Sequence, residues 1–364
     1  MKCNFESLVY CKECLLPSSY PGIRFNSYGV CRYCEQWKRP DYLGKDKLLD
    51  KIAPALKRNE CTEYDCVVGY SGGRDSTYLL YYIVRELKLR PLAVFVDDQF
   101  IPEQAFENMK ETTRILGVTL LIRQSDYLKR CVTHHIHAWL KRPVAESLMC
   151  INVGERLGYL TMVEEEAVKR GIKLTFQGGS PFQQEGYKSD IVKIGKQGGA
   201  LSLVCGWTKQ VLLNPFLVMN YTALKTQYAE LTNKRRTKHL LKKNNIMRIN
   251  PYNGYVHWVE KDIEDVLLNI LNWKRCPGME STARVSCEID TLRQYLFLRT
   301  LGYNDRNVTL SEMIRDGQIS RKEGLVKLQK ERHIPPQVIA DIVVKAGVDS
   351  KYFFERLDKK YATI

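Results

Sequence analysis

Four cysteines near the start of the chain have the spacing of a metal site. They form two C-x2-C pairs separated by sixteen residues: Cys11, Cys14, Cys31 and Cys34. Each pair can aim two thiolates at one point, and two pairs complete the tetrahedral sulfur set that zinc prefers. Because four protein thiolates leave no coordination position for water, the spacing predicts a structural zinc and not a catalytic one.

The hexapeptide Ser71-Gly-Gly-Arg-Asp-Ser76 is a second pattern with chemical meaning. It lies between a short apolar run, typical of a buried strand, and a segment with apolar side chains at helical spacing. A loop that ends on a helix N-terminus directs backbone N–H groups and the positive end of the helix dipole toward one point, which stabilises a phosphate. Gly72 and Gly73 permit close approach of the backbone, and the hydroxyls of Ser71 and Ser76 add donors. The pattern therefore predicts a phosphate-binding loop.

Secondary structure must position these motifs, and strand patterns alternate with helix patterns between 64 and 205. Such alternation implies right-handed crossovers and a mostly parallel sheet, with ligands at the carboxyl ends of the strands. The phosphate loop, Asp97 and the pair Gly178-Gly179 each follow a predicted strand, so we expect them to surround one nucleotide. The predicted strands are 66–70, 91–97, 118–122 and 173–177, with helices at 102–117, 127–141 and 154–170.

The chain of 364 residues is long enough for one large α/β domain with smaller parts around it. Strand patterns end at about 206, and the sequence beyond it shows helical stretches. We predict a zinc-ribbon-like module at 1–40, a helical linker at 41–63, an α/β phosphate-loop domain at 64–205 and a mainly helical lobe for substrate or partner binding at 206–364. Helices of this lobe are expected near 222–244, 260–272, 288–300, 310–317, 321–332 and 335–346.

The charge of the chain favours anionic partners. Lys and Arg number 56 against 41 Asp and Glu, which gives a net charge of +15 and attracts nucleotides, sugar nucleotides, nucleic acid or acidic membrane surfaces. Part of this excess lies between 225 and 248, where there are eight basic residues and one glutamate. A solvated helix face is the default interpretation of that run, and a contact with a diphosphate or with tRNA is the alternative.

The sequence contains no stretch that approaches the ~20 apolar residues of a membrane span, and its first residues lack the apolar core of a signal peptide. We therefore expect a cytoplasmic protein without a membrane span. The twelve cysteines should stay reduced in that compartment, so clustered ones are expected to hold metal. His134, His135 and His137 do not share one helical face, and we predict no metal site there.

The phosphate loop is neither a Walker A motif nor a dinucleotide fingerprint, since no Gly-Lys-Ser/Thr ends it and the chain has no G-x-G-x-x-G. It resembles the PP-loop of the N-type ATP pyrophosphatases, Ser-Gly-Gly-x-Asp-Ser, which follows the first strand of an adenine-nucleotide α-hydrolase-like sheet. Members of that superfamily use ATP to adenylate a carbonyl or amide oxygen and release pyrophosphate. The resemblance implies ATP and Mg²⁺ as cofactors, catalytic roles for Asp75 and Ser76, and a nucleotide site that comprises Ser71, Gly72, Gly73, Asp75, Ser76, Asp97, Gly178 and Gly179.

Motifs in the C-terminal half indicate one particular family within this superfamily. They are Trp258-Val-Glu-Lys-Asp-Ile263, Asn272-Trp273-Lys274, Arg284-Val-Ser-Cys287-Glu-Ile-Asp290 and the segment 310–321, LSEMIRDGQISR. Together with the paired C-x2-C and the PP-loop, they resemble the bacterial N-acetyl sugar amidotransferase family of lipopolysaccharide (LPS), O-antigen and nonulosonic-acid biosynthesis. Those enzymes convert an acetamido group on a sugar, sometimes nucleotide-linked, into an acetamidino group. One departure is the turn after Gln177, which lacks the acidic residue that many relatives have.

The resemblance implies an external ammonia source. The chain has no Gly-x-Cys-x-Gly nucleophile elbow, and residue 2 is a lysine, so neither type of glutaminase nucleophile is present. A separate glutaminase with a cyclase-like subunit, both similar to histidine-biosynthesis proteins, is the implied partner, and a sugar nucleotide is the implied substrate. Arg284 is a candidate to bind a sugar-linked phosphate, with an interdomain salt bridge as the equal alternative.

Two other functions remain open on the sequence. A PP-loop enzyme that modifies tRNA, by thiolation or lysidine-type ligation, would use the +15 charge and the zinc module. Thiolation favours a pair of cysteines, whereas Cys131, Cys150 and Cys205 are isolated in sequence. A non-catalytic zinc-ribbon adaptor is the third possibility, and the intact loop argues against it. We therefore expect an amidotransferase and do not expect nucleic acid as a partner.

Overall fold

The centre of the protein is a parallel sheet with helices around it. The computed structural model describes residues 8–58, 62–151, 158–182, 200–219, 221–277, 282 and 287–361. Its strands are β1 (Cys66–Gly69), β2 (Pro91–Asp97), β3 (Thr119–Gln124), β4 (Leu174–Gln177) and β5 (Met247–Ile249). All neighbouring pairs are parallel, and the order is β3-β2-β1-β4-β5. The predicted α/β class is confirmed.

Helices cover the sheet and form most of the second half of the chain. Those before β4 are α1 (Arg32–Glu35), α2 (Gly44–Lys57), α3 (Arg74–Tyr81), α4 (Glu103–Leu116), α5 (Asp126–Lys141) and α6 (Tyr159–Lys169). Those after it are α7 (Ala200–Leu213), α8 (Tyr221–Asn244), α9 (Glu260–Asn269), α10 (Glu288–Leu301), α11 (Asp305–Arg315), α12 (Arg321–Arg332), α13 (Pro336–Lys345) and α14 (Ser350–Asp358). A π-helical turn, Tyr82–Glu86, extends α3.

Local sequence signals account for much of this arrangement. All four residues of β1 and the first six of β2 are buried, as expected for strands of a parallel sheet that is covered on both faces. Helix α4 begins after Pro102 and ends at Gly117, which adopts a left-handed conformation with φ of 67°. Proline fits the start of a helix and glycine its end, so the predicted limits of this helix are confirmed.

Strand β5 lies beyond position 206, where the sequence shows no further strand pattern. It pairs in parallel with β4 and forms one edge of the sheet. With three residues, one of which is Arg248, it is too short to show a strand period, so its pairing with β4 decides its conformation. The sheet therefore takes one strand from the part of the chain that we expected to be helical.

The strand order creates a crevice beside the phosphate loop. From β1 the chain adds β2 and then β3 on one side, and it crosses to the other side of β1 to add β4. At such a reversal the loops after the two central strands diverge, which opens a ligand site at their carboxyl ends. The loop 70–73 follows β1 and the turn 178–180 follows β4, so both lie at this point.

The N-terminal module packs directly on the C-terminal helices. Leu15 is fully buried in the same core cluster as Leu310 and Met313 of α11. The backbone N–H of Leu15 donates to Ser311 Oγ at 2.9 Å, and Asn307 Nδ2 donates to the carbonyl of Leu15 at 3.1 Å. Chain segments almost 300 residues apart in sequence therefore share one interface. In the described residues, no helix combines the length and apolarity that a membrane span requires.

Gly72 and Gly117 form a matched pair for a stability test. Both have positive φ, but a Cβ on Gly72 would lie 2.6 Å from Met109 Cγ and 2.8 Å from the carbonyl oxygen of Ala105, whereas a Cβ on Gly117 would meet nothing within 4 Å. We expect Gly117→Ala to lower the free energy of unfolding by about 1 kcal/mol through backbone strain alone. Gly72→Ala should lower it by a further ~1–3 kcal/mol because α4 must move away. Equal losses for the two variants in urea unfolding would contradict this account.

Candidate nucleotide site and metal centre

The phosphate loop is held open at a helix N-terminus. Gly73 is extended, with φ of −74° and ψ of 162°, and directly precedes α3. The two serine hydroxyls of the loop, Ser71 Oγ and Ser76 Oγ, lie 3.1 Å apart, and the N–H of Ser71 donates to Ser76 Oγ at 3.3 Å. Hydroxyls that now bond each other can turn to donate to an anion. The loop therefore provides backbone donors, two hydroxyls and the positive end of the α3 dipole at one point.

The turn after β4 lies against the loop, as the sequence predicted for Gly178 and Gly179. A Cβ on Gly178 would approach the carbonyl oxygen of Asp75 at 3.2 Å, which explains the glycine. The N–H of Ser180 donates to Asp75 Oδ2 at 3.1 Å, and Asn250 Nδ2, just after β5, donates to the carbonyl of Gly179 at 3.3 Å. The structure thus brings the two predicted glycine segments together.

Asp75 is fixed by three different parts of the chain. Its Oδ1 accepts from Arg74 Nε at 3.1 Å and from Trp258 Nε1 at 3.2 Å, and its Oδ2 accepts the bond from Ser180. The carboxylate therefore has one orientation at the N-terminus of α3 and is 13% exposed. A carboxylate held in this way is suited to bind a cation in a set position, and its predicted role toward Mg²⁺ stays a prediction.

Two tryptophans of the C-terminal half hold the loop, and sequence reasoning did not assign them this role. Trp258 bonds Asp75, and Trp273 Nε1 donates to the carbonyl of Gly72 at 3.0 Å. Both indoles are buried. Because a buried indole N–H needs an acceptor, each of these tryptophans implied a hydrogen bond to some other part of the chain. Nothing in the sequence indicated that the acceptor would be the phosphate loop.

Arg74, at the variable position of the loop motif, is buried and anchors the loop to α9. Its Nη1 donates to Glu260 Oε1 at 2.6 Å, and its guanidinium lies 4.9 Å from the centre of the Trp258 ring. Glu260 also accepts from Arg306 at 3.5 Å and from Lys327. Burial disfavours the charged carboxylate, but these three cations outweigh it and lower the pKa of Glu260 to about 2. Glu260 is therefore a permanently charged hub between the loop and the C-terminal helices.

The end of β2 carries two carboxyl groups. Asp97 lies at the carboxyl end of this strand as predicted, and its Oδ1 accepts from the N–H of Gln99 at 2.7 Å. The next residue, Asp98, accepts from the N–H of Phe100 at 2.9 Å. Burial, together with the charges of Asp97 and Glu288, raises the pKa of Asp98 to about 6. Asp98 can therefore exchange a proton near neutral pH, a property that sequence reasoning did not find.

The C-terminal motif around Cys287 is only partly described. Arg284 lies outside the described residues, so its predicted contact with a sugar-linked phosphate stays a prediction. Cys287 directly precedes α10 as its N-cap residue. Burial, with the charges of Asp98 and Asp290, raises the pKa of the Cys287 thiol.

The four predicted zinc ligands converge in the N-terminal module. The sulfur atoms of Cys11, Cys14, Cys31 and Cys34 all lie within 4.8 Å of one another. Individual distances are 3.9 Å for Cys11 to Cys34, 3.7 Å for Cys14 to Cys31 and 3.6 Å for Cys31 to Cys34. Four sulfurs at about 2.3 Å from a tetrahedral zinc ion would be separated by about 3.8 Å, so the set fits zinc. Among the described residues, this is the one group of three or more His, Cys, Asp or Glu side chains placed to hold a metal ion.

Basic residues of the C-terminal helices surround the cysteine cluster. Arg315 Nη1 lies 3.8 Å from Cys34 Sγ, and Arg321 donates to the carbonyls of Cys11 and Cys14 at 3.0 to 3.3 Å. Both arginines belong to the segment 310–321. A zinc ion with four thiolates carries a net negative charge, which nearby guanidinium groups stabilise. With zinc bound, this segment would therefore lie directly around the cysteine ligands.

Comparison with known proteins finds a family match for the C-terminal part of the chain. Residues 280–363 match the family model described as the C-terminal domain of WbpG-like LPS biosynthesis proteins. The match covers α10 to α14, including the segment 310–321. The C-terminal part of the chain is therefore similar to the C-terminal domain of WbpG-like LPS biosynthesis proteins, and it follows a parallel-sheet region that carries the loop 71–76 and an N-terminal four-cysteine cluster. The expected resemblance is confirmed at this level.

One relative and two solved structures are similar to part of the chain. The uncharacterized protein MJ1599 of Methanocaldococcus jannaschii is 30% identical over 124 residues, which is 34% of this chain and 38% of that protein. The NH3-dependent NAD synthetase of Campylobacter jejuni is 12% identical, with a TM-score of 0.27, and the match covers 53% of this chain and 95% of that chain. The NMN synthetase of Francisella tularensis is 15% identical, with a TM-score of 0.27 and coverage of 54% and 95%.

The metal centre can be tested by changing one ligand. We expect Cys14→Ser to release the zinc, because serine does not replace a thiolate in a structural site, and to lower the midpoint of thermal unfolding. Cys131→Ser is the matched control, since this buried thiol lies 3.2 Å from Thr226 Oγ1, outside the cluster, and a hydroxyl can keep that bond. Metal analysis that finds no zinc in the wild type, or equal zinc in Cys14→Ser, would refute the assignment.

The ion pairs around Glu260 predict a contribution to the free energy of unfolding that depends on pH. Glu260→Gln leaves Arg74, Arg306 and Lys327 without their shared carboxylate and should lower the free energy of unfolding by about 3 kcal/mol near pH 7. Because the folded-state pKa lies below the unfolded value, the stabilisation is complete above about pH 4.5 and is lost as the pH falls toward 2.

The measurement is urea unfolding of wild type and variant from pH 7 to pH 3. The difference between them should shrink at the acid end. Glu111→Gln serves as the control, because Glu111 pairs with Arg114 at an exposed site and should contribute little. A difference that stays constant with pH would show that Glu260 does not act through its charge.

Proposed function

We propose that this protein is an ATP-dependent, AMP-forming amidotransferase that converts an acetamido group on a nucleotide-linked sugar into an acetamidino group. The observation that carries the proposal is the direct attachment of the WbpG-like domain to the PP-loop. Arg306 and Lys327, both within the matched residues, share Glu260 with Arg74 of the loop. An LPS biosynthesis domain that is bonded to an ATP-type loop supports a sugar substrate and an activation step driven by ATP.

The chemistry follows from the poor leaving ability of an amide oxygen. The acetamido oxygen attacks the α-phosphorus of ATP, the bond to the β-phosphate breaks, and pyrophosphate leaves. Ammonia then adds to the carbon of the O-adenylyl imidate, and AMP departs with the former amide oxygen. Protons lost by the nitrogen go to solvent or to a nearby base, and no covalent protein intermediate is needed.

The residues of this chain would bind and orient the reactants. The loop amides with Ser71 and Ser76 would bind the β- and γ-phosphates, and Gly178 and Gly179 would permit close approach of the α-phosphate or ribose. Asp75, held by Arg74, Trp258 and Ser180, would bind Mg²⁺, which supplies charge neutralisation for the leaving pyrophosphate. The cysteine cluster would hold zinc as a structural ion.

The reaction needs ammonia, and we propose that a separate glutaminase with a cyclase-like subunit supplies it. The sequence contains no Gly-x-Cys-x-Gly elbow with which this chain could release ammonia from glutamine itself. The sugar would belong to O-antigen or nonulosonic-acid biosynthesis, in line with the LPS domain.

The test of this proposal is the product pattern. We expect the protein with ATP, ammonium and acetamido sugar nucleotides to form AMP, pyrophosphate and an amidine, and ¹⁸O in the acetamido group to appear in AMP. Asp75→Asn should lower the rate by about 10²-fold or more, because a preorganised charge is lost. Asp50→Asn is the control, since Asp50 pairs with Lys47 at the surface. ADP and orthophosphate as the first products would contradict the assignment.

A tRNA-modifying enzyme is the second candidate, and the exposed basic residues of α8 favour it. Because long polyanions release many counterions on binding, tRNA affinity should fall steeply with salt, whereas a sugar nucleotide should show a shallow dependence. We expect the shallow dependence. Nanomolar tRNA binding at physiological salt with ATP-dependent change of a base would establish the second candidate instead.

A further inference from the structure

Helix α8 buries several polar side chains and exposes several apolar ones. Its buried residues include four polar ones, and each has a partner. Thr226 lies 3.2 Å from Cys131 Sγ, Gln227 accepts from Trp207 Nε1 at 2.9 Å, and Asn233 accepts from Thr161 Oγ1 at 2.9 Å. The fourth, Thr237, lies within hydrogen-bonding reach of the same Thr161 hydroxyl. Hydrogen bonds therefore help to hold the inner face of α8 at these four positions.

The outer face of α8 begins with an apolar stripe. Tyr221, Leu224 and Tyr228 are spaced i, i+3, i+7 on one side of the helix and are 78%, 52% and 69% exposed. Met219 and Leu212, on the segment that leads into α8, are also exposed. We call these five residues the apolar patch. Single exposed apolar side chains are normal, but five within seventeen residues form the kind of surface that a partner covers.

The same face becomes basic toward the end of the helix. At 3.6 residues per turn, the direction of the stripe continues through further exposed residues: Arg235, Arg236, His239, Lys242 and Lys243. Apart from the exposed Lys225, the described part of the outer face is therefore apolar in its first half and cationic in its second half.

The apolar patch projects past the carboxyl edge of the sheet. Helix α6 leads into β4 and α8 leads into β5, so both run toward the amino edge, side by side. Thr161, near the start of α6, bonds Asn233 and contacts Thr237. At 1.5 Å per residue, positions 221–228 lie roughly 10–20 Å beyond that level. This is the edge at which the phosphate loop opens.

We propose that the apolar patch and the basic half of α8 form the docking surface for the protein that supplies ammonia. This inference rests on the proposed function. The partner would hydrolyse glutamine with water to glutamate and ammonia, and the ammonia would attack the activated imidate carbon in this chain. Since ammonia in bulk water is mostly protonated and diluted, a supplier is useful only beside the nucleotide edge, which is where the patch lies.

The charge of α8 favours an acidic protein surface as the partner over a second copy of this chain and over a membrane. A second copy of a chain with net charge +15 would bring like charges to the basic half, whereas a protein with an apolar area beside acidic residues complements both halves. On a membrane-surface helix cationic residues flank the apolar stripe along its length, whereas here only Lys225 lies beside the stripe and the other exposed Lys and Arg residues of α8 follow it. We therefore commit to an acidic protein surface.

The experiment compares two nitrogen sources in the full chain. The purified glutaminase and cyclase-like subunits from the same organism are the probe. The variant is Tyr221→Ser/Leu224→Ser/Tyr228→Ser. We expect the glutamine-dependent rate of amidine formation to fall by about tenfold or more, as for loss of interface anchors, while the ammonium-dependent rate stays within about twofold. Val344→Ser/Tyr352→Ser removes exposed apolar side chains from α13 and α14 and should change neither rate.

A second variant tests the charged half. Lys242→Glu/Lys243→Glu should weaken binding of the glutaminase complex and flatten its salt dependence, because two complementary charges become repulsive. The ammonium-dependent rate should again be unchanged. Direct binding by isothermal titration reports on the surface even when turnover is absent.

The outcomes separate this inference from the proposed function. If the wild type forms no amidine from ammonium but binds the glutaminase complex through the patch, the proposed function fails and the docking surface stands. If the serine variant loses both rates together, or its thermal midpoint falls, the patch belongs to the protein's own fold and the inference is wrong. Unchanged glutamine-dependent turnover also overturns it, as does patch-dependent binding to vesicles of phosphatidylglycerol, to RNA or to a second copy without an effect on that turnover.

Discussion

The buried ion pair between Arg74 and Glu260 is the interaction on which the rest of this structure depends. It joins the phosphate loop, whose neighbours include Asp75, to the helices of the WbpG-like domain through Arg306 and Lys327. Charges removed from water are stable only when they are paired, so neither part can move away without exposing or orphaning a charge. The nucleotide edge and the C-terminal domain therefore behave as one unit.

The same C-terminal helices connect the loop to the metal centre. On the loop side, Gln318 bonds the residues that hold the loop. Its Nε2 donates to the carbonyl of Trp258 at 2.8 Å, and its Oε1 accepts from the N–H of Glu260 at 3.2 Å. Three residues further along, Arg321 bonds the carbonyls of the first cysteine pair. The segment 310–321 thus contacts both the cysteine cluster and the residues that orient Asp75. A structural zinc would stabilise this connection without taking part in the chemistry.

Anion-binding groups, a carboxyl group of raised pKa and an exposed helix face all lie at or beyond the carboxyl edge of the sheet. The loop and the turn at 178–180 present donors to an anion, and Asp98 at the end of β2 has a pKa near 6. Beyond the edge, the first half of α8 exposes Tyr221, Leu224 and Tyr228, while Thr226 and Asn233 on the inner side of the helix bond α5 and α6. Under the proposed function, activation of the substrate and delivery of ammonia would use separate elements at one end of the molecule.

Patterns that depend on near neighbours were readable from the sequence alone. They include the strand, glycine turn and helix around 66–81, the limits of α4 and the convergence of the four cysteines, because backbone geometry and ligand spacing are local. Contacts between distant segments were decided by the tertiary structure: the burial of Arg74 against Glu260, the bonds from Trp258 and Trp273 to the loop, the raised pKa of Asp98 and the pairing of β5. Each needs a partner that is contributed by another part of the fold. A residue's own sequence neighbourhood does not show which partner that will be.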